Sequence, residues 1–162
     1  MSENTKLVVR DASPNDHSAI VAFSLGLAGE TESKALDLDV LSRGVRMALA
    51  EPERLRFWVA ELDGRVVGQT AITREWSDWR NGWVWWLQSV FVANDARGRG
   101  VFRAILAHIR ESARSQPDVI GLRLYVEQEN TVAQKTYRSL GFEPGGYHVY
   151  EDLWKERFGA SR

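Results

Sequence analysis

The stretch "NDARGRGVFRAIL", residues 94–106, sets three arginines and two glycines in a turn that runs directly into an apolar helical pattern. Glycines let a backbone approach a ligand closely, and the first N–H groups of a helix have no internal partners. Such an end attracts anions by roughly 0.3 to 2 kcal/mol through the helix dipole. Arg97 and Arg99 add charge-assisted donors suited to phosphate oxygens. A pyrophosphate fits this description. No Gly-Lys-Ser/Thr follows, so the turn is not a Walker loop, and its glycines are not spaced as a dinucleotide fingerprint. The plain alternative is an exposed basic loop whose glycines serve only the turn. Further on, Asn130 opens a second helical pattern, Tyr137 follows seven residues later, and Leu140-Gly141-Phe142 closes it. His17, His108 and His148 are too scattered for metal ligation, and no metal is expected. His108 reads as a packed or surface side chain, and Arg110 and Arg114, interleaved with Glu111, read as a solvated face.

The elements that must position these residues emerge from periodicity. "KLVVRD" is a short strand, with Asp11, Ser13 and Pro14 signalling the start of a helix over "HSAIVAFSLGL". Leu38, Leu41, Val45 and Leu49 mark a second helix from about Asp37 to Ala50, with Pro52 beyond it. "RFWVAELDGRVVGQTAIT" reads as a hairpin turning at Asp63-Gly64, a dipeptide that tolerates positive φ. "GWVWWLQSVFVA" is the strand before the basic turn, and in alternation Trp86 shares a face with Gln88 and Val90, opposite Trp83 and Trp85. The helix "VFRAILAHIRESARS" and the strand "VIGLRLYVE" complete a strand, helix, strand unit, which implies a parallel pair. The helix "NTVAQKTYRSLG" ends at Gly141 as a left-handed cap, and "FEPGGYHVYEDLW" can supply one or two final strands.

Taken together, the turn, Asn130, Tyr137 and Gly141-Phe142 resemble the GNAT N-acetyltransferases, whose signature is Arg/Gln-x-x-Gly-x-Gly/Ala after a strand, then an Asn, a Tyr and a Gly-Phe. The match runs from about Leu87 to Phe142, and the order of earlier elements agrees with it. Phe102 departs from the pattern, which has a small residue there. The resemblance implies an α/β fold with a mixed, mostly antiparallel sheet, a splayed central parallel strand pair and about four flanking helices. It implies acetyl-CoA as cosubstrate, with backbone N–H groups of Gly98, Arg99, Gly100, Val101 and Phe102 around its pyrophosphate and the charged side chains of Arg97 and Arg99 beside it. The pantetheine arm would pair with the backbone of Val90, Phe91 and Val92. Asn130 would bond that arm, although asparagine there is also a common N-cap. Tyr137 would protonate the departing thiolate; the alternative is a half-buried aromatic on the helix's core face.

The implied reaction is direct attack by a primary amine, with a backbone N–H near Val90 or Phe91 stabilising the oxyanion. An amine of pKa near ~10.4 is mostly protonated at neutral pH, so a base or water relay must take its proton. Trp86 occupies the place where some relatives carry a carboxylate. Glu75 and Glu127, each at a strand end, are the candidate bases, Gln88 or Ser89 could position water, and a solvated surface role is the alternative for both acids. Five of the seven tryptophans lie in "WSDWRNGWVWW". Trp79, in the loop between strands, is the candidate for an acceptor pocket or dimer contact, and an aromatic wall near acids suits a cationic amine. Loops at residues 24–37 and 76–83 are expected to choose the acceptor, a small-molecule or peptide amine.

Composition bounds these readings. The 162 residues, 44% hydrophobic and 27% charged, suit one domain over 1–162. A net charge of −1 argues against extended nucleic-acid contact by the basic turn. There is no cysteine, which excludes disulfides, thiolate metal sites and a cysteine nucleophile. The polar beginning and the lack of a run of ~18 apolar residues lead to the expectation of a cytoplasmic chain without membrane contact. A homodimer is compatible with the tryptophan density and the terminal strands. A second function, a catalytically silent acyl-CoA-binding or sensing module, is supported by Phe102 and the missing strand carboxylate.

Overall fold

A computed structural model describes residues 6–31 and 35–154. Five strands form one sheet in the order β1 to β5: β1 (Leu7–Asp11), β2 (Arg56–Leu62), β3 (Arg65–Ser77), β4 (Gly82–Val92) and β5 (Val119–Leu124). The first four are antiparallel in sequence, and β4 and β5 are parallel. Four helices flank them: α1 (His17–Thr31), α2 (Leu38–Ala50), α3 (Val101–Arg114) and α4 (Thr131–Ser139). This is the mixed α/β arrangement that the resemblance implies. Among the described residues no helix is long and apolar enough to cross a membrane.

Local chemistry accounts for the boundaries. Asp63 and Gly64 both take positive φ, 52° and 80°, and so close the β2–β3 hairpin in two residues. Ser13 begins the turn before α1, where the buried Asp16 carboxylate accepts from the Ser13 N–H at 2.7 Å and from both Arg10 Nη atoms at 2.8 and 2.9 Å. Arg10 holds that carboxyl below its ordinary value, and its burial opposes the shift. Asp37 caps α2 by accepting from Val40 N–H at 3.0 Å.

Each sheet face carries its own core. Under α3, Val101, Ile105, Leu106, Ile109 and Ala113 meet Trp58, Ala60, Val67, Trp85 and Leu87. Their spacing along α3 makes a single stripe, and burying each large aliphatic contributes about 1.5–3 kcal/mol. On the other face Ile20, Val21 and Val45 cover Phe57, Val59 and Ala71. His108 lies on the α3 side, edge-on to Trp58 at 6.2 Å, as a packed histidine.

Three expectations are corrected. The segment "FEPGGYHVYEDLW" forms no strand within its described residues, 142–154. Gly146 turns the backbone at φ +74°, and Tyr147, Tyr150 and Trp154 stand in solvent, so β5 is left as an edge. Arg110 is not on a solvated face: it donates to the Leu140 carbonyl at 2.6 Å and stacks 5.5 Å over Phe142, tying α3 to the end of α4. Val90 does not share a face with Trp86, because Ser89 adopts φ +52° and inserts a bulge. Trp86 and Gln88 stay on the α1 side, while Val90 and Val92 join Trp83 on the α3 side.

Candidate active site

The bulge in β4 is the origin of the site. Gln69 pairs with Phe91, Ala71 pairs with Gln88, and Ser89 and Val90 are left opposite Thr70 alone. Polar side chains buried in β3 hold it open. Gln69 Nε2 donates to the Ser89 carbonyl at 3.2 Å and to Ser24 Oγ at 3.3 Å, and Thr70 Oγ1 donates to the Gln88 carbonyl at 3.3 Å. Both side chains are fully buried. A bulged strand bends and twists more than its neighbours, which re-aims the residues beyond it.

Past this point β4 and β5 part. Their ladder runs from Trp83 opposite Val119 to Leu87 opposite Leu124 and then stops, although β4 continues to Val92. The gap is a cleft of about 660 Å³. One wall is β4 from Leu87 to Val92, the other runs from Leu124 to Glu127 and on to Asn130, and Phe102 and Tyr137 face each other across its floor. The end of α1, with Leu27 and Glu30, forms the rim.

At one end of the cleft is the basic turn. Gly98 and Gly100 have φ of 73° and 78°, and a Cβ at either would meet nothing within 4 Å. Conformation alone therefore requires glycine at these two positions. Gly100 is the N-cap of α3 and supplies no side-chain cap, so the first-turn N–H groups are left to an external acceptor. Arg97 is engaged elsewhere: Nε donates to the Val92 carbonyl at 2.9 Å, and Nη2 reaches both Glu30 oxygens at 2.7 and 3.0 Å. Its guanidinium lies 5.6 Å over the Phe91 ring, which stacks on Phe23 at 5.2 Å.

Tyr137 lines the cleft beside the start of α3. Its ring is edge-on to Phe102 at 5.8 Å and to Phe142 at 6.0 Å. Phe102, the departure from the small residue of the pattern, is thus one of two rings that position this tyrosine. Burial pushes the Tyr137 hydroxyl up from its ordinary value of 10.0. Asn130 Oδ1 accepts from Ala133 N–H at 3.0 Å, so the side chain caps α4 while also lining the cleft.

The two candidate bases separate. Glu127 lines the cleft, with Oε2 accepting from Glu129 N–H at 2.8 Å. Glu75 lies outside it, four residues down β4 from Gln88 by register, or about 13 Å at about 3.3 Å per residue. Its oxygens accept from Trp86 Nε1 and from Arg123 Nη1, the latter at 3.0 Å. Trp86 in turn stacks on Tyr125 at 4.5 Å. The remaining tryptophans of the cluster divide between core and surface: Trp85 is buried, Trp76 and Trp83 pair edge-on at 5.0 Å, and Trp79 is 86% exposed at the β3–β4 turn. Of the expected acceptor loops, residues 24–31 continue α1, 32–34 lie outside the described residues, and 76–83 form a tight hairpin.

Sequence reasoning did not single out Glu30, Gln69, Thr70 or Ser24. Adjacent Gln-Thr in the middle of "VVGQTAI" is the available signal, since polar residues in an apolar strand need buried partners.

The family model of the Acetyltransferase (GNAT) family matches residues 28–142. No curated protein sequence matches the chain. Among solved structures, a possible acetyltransferase from Clostridium difficile 630 is 38% identical, covers 93% of this chain and 99% of its own, and superposes with a TM-score of 0.86. An aminoglycoside N-acetyltransferase, AAC(6')-Iy, in complex with CoA is 17% identical over 96% of this chain and 99% of its own, with a TM-score of 0.79. At that identity the likeness is one of fold.

Proposed function

The chain belongs to the GNAT acetyltransferase family, and from that footing we propose that it moves the acetyl group of acetyl-CoA to a primary amine by direct attack. One observation carries the reading: β4 and β5 part beside an anion-seeking helix end and a half-buried tyrosine. GNAT acetyltransferases use acetyl-CoA, and AAC(6')-Iy, a neighbour in fold, has been captured with CoA and with a CoA-linked bisubstrate analog. When bound, this cosubstrate supplies an acyl group already activated as a thioester.

The residues divide the remaining tasks. The N–H groups from Gly98 to Phe102 hold the pyrophosphate, and Val90 to Val92 offer strand-like pairing to the pantetheine amides where β5 no longer reaches. A backbone N–H of Val90 or Phe91, turned by the bulge, stabilises the developing oxyanion. Asn130 contributes its amide to the arm. Tyr137 delivers a proton to the leaving thiolate, and its raised pKa keeps that proton available at neutral pH. Glu127, within the cleft, is better placed than Glu75 to pass the amine proton through water. The acceptor is a small-molecule or peptide amine entering beside Trp86 and Gln88.

A catalytically silent acyl-CoA-binding module is the second reading. It is favoured by the engagement of both acids, Glu75 by Arg123 and Trp86 and Glu127 by the Glu129 N–H. Calorimetric titration with acetyl-CoA and desulfo-CoA at two salt concentrations, on the wild type and Gly100→Asp, tests the shared step. Binding lost in the variant and accompanied by thiol release in an amine screen supports the transferase. Binding with no turnover of any amine supports the silent module, and no binding at either salt overturns both.

A further inference from the structure

We propose that Tyr125, backed by Trp86, is the surface on which the acceptor lands, and that the acceptor is an aromatic monoamine: a flat, uncharged ring joined to one primary amine by a short aliphatic arm. The inference rests on the transferase reading for the place of the reacting amine, and adds what carries that amine.

Strand register gathers the cluster on the α1 side of the sheet. Thr73 lies opposite Trp86, with Glu75 two residues on, and Trp86 lies beside Arg123 of β5. Trp86 Nε1 donates to one Glu75 oxygen, Arg123 Nη1 donates to the other at 3.0 Å, and the guanidinium stands 5.8 Å over the indole. Tyr125, directly after β5, stacks on that indole at 4.5 Å with a tilt of 32°. Neither ring belongs to either core, so packing of the fold does not account for them. Trp86 is half-buried, whereas Tyr125 is 56% exposed and lines the cleft. A ring pinned before the ligand arrives loses little rotamer freedom on binding, and its exposed partner is ready to stack.

The place suits an acceptor. The β4–β5 ladder ends with Leu87 opposite Leu124, so Tyr125 is the first residue of β5's course past the parting, and the Ser89 bulge lies just beyond on β4. Trp86 is three residues from Ser89, about 10 Å at about 3.3 Å per residue. An amine that meets the thioester at the bulge therefore brings a ring on a short arm against Tyr125.

Charge narrows the class further. Arg123 and Glu75 cancel each other, and Gln88 Nε2 donates to Thr73 Oγ1 at 2.7 Å beside them, which leaves this floor polar and without net charge. A second ammonium, or the carboxylate of an amino acid, has to break the Arg123–Glu75 pair to be held here. A neutral ring does not.

The test needs no turnover. Calorimetric titration of the full chain in the presence of excess CoA compares 2-phenylethylamine with 2-cyclohexylethylamine, which share the ammonium, the arm and nearly the bulk. The aryl amine is expected to bind about three- to tenfold more tightly, the worth of one ring pair. It is also expected to bind more tightly than spermidine or free lysine, to lose its advantage in Tyr125→Leu, and to keep it in Tyr125→Phe. Tyr125 is exposed, so neither variant threatens the fold. Absent or equal binding of the two amines, tighter binding of spermidine, or a preference that survives Tyr125→Leu overturns the proposal. So does an equal loss of acetyl-CoA affinity in Tyr125→Leu, because it assigns the ring to the cosubstrate. The transferase reading fails separately. The aryl preference with acetyl-CoA present and no thiol released keeps the aromatic site and removes the transfer. Thiol release at equal kcat/KM for both amines keeps the transfer and removes the aromatic site.

Discussion

Tyr137 stands edge-on to two phenylalanines, and the same burial that fixes its ring raises its pKa above 10.0. A general acid must hold its proton before the step, so activity limited by this group persists through neutral pH and falls only as pH rises past that ordinary value. Tyr137→Phe keeps the packing and removes the proton. Turnover is expected to drop by about 10²-fold or more, with acetyl-CoA affinity unchanged and the alkaline limb of the pH profile lost. Steady-state rates across pH, paired with calorimetry, check this. A loss of affinity as large as the loss of rate would assign Tyr137 to binding. The Tyr was legible from its spacing behind Asn130; the two rings that seat it were not, because Phe102 and Phe142 are 40 residues apart in sequence and meet only through packing.

Among the elements, β4 departs most from what its pattern suggests. Its alternation of tryptophans reads as one regular strand, yet Ser89 sits at φ +52° and flips the face of everything after it. A left-handed serine leaves no mark in a sequence, whereas the left-handed Asp63-Gly64 does, since that dipeptide is the usual occupant of such a turn. At Ser89 a glycine relieves strain and a β-branched residue aggravates it. Ser89→Gly is expected to match or exceed wild-type stability by up to about 1 kcal/mol, and Ser89→Val to lose about 2 kcal/mol, in urea titrations. The entry to α1 gives a second test. Asp16 has a folded pKa below its ordinary 3.8, so the stability it adds is complete above that value and is lost as pH falls through the lower folded one. Asp16→Asn is expected to cost about 2 kcal/mol at neutral pH, less than the ~3–5 kcal/mol of a fully buried pair because Arg10 remains about a third exposed. Urea midpoints below pH 4 should converge for the two proteins.

For the whole molecule, the order of strands and helices up to Phe142 was legible because each segment has a clear period and a punctuating residue: Asp37, Asp63-Gly64, Gly100 and Gly141. The last segment was not, since its alternation of apolar and polar residues reads as strand while its described residues pair with no other strand. Contacts between distant parts of the chain were equally hidden, and the pair Arg97–Glu30, 67 residues apart, is the most consequential of them. It places an internal carboxylate on the very arginine that the turn would offer to a phosphate. The protein thus carries its own competitor. Any anion that reaches Arg97, inorganic phosphate and the cosubstrate's pyrophosphate alike, has to exchange against an attached ligand at high local concentration. Because both partners are about half exposed, the exchange is inexpensive, at most about 1 kcal/mol. Glu30→Gln is expected to tighten acetyl-CoA binding by about two- to fivefold and inorganic phosphate by a similar factor, both read by calorimetry at low salt. Unchanged affinities would mean that Arg97 never leaves its carboxylate. If the exchange takes place, each arrival of cosubstrate detaches the end of α1 from the phosphate turn and uncovers a negative charge at the cleft rim, where an incoming ammonium group would meet it: the first substrate would then prepare the electrostatics that receive the second.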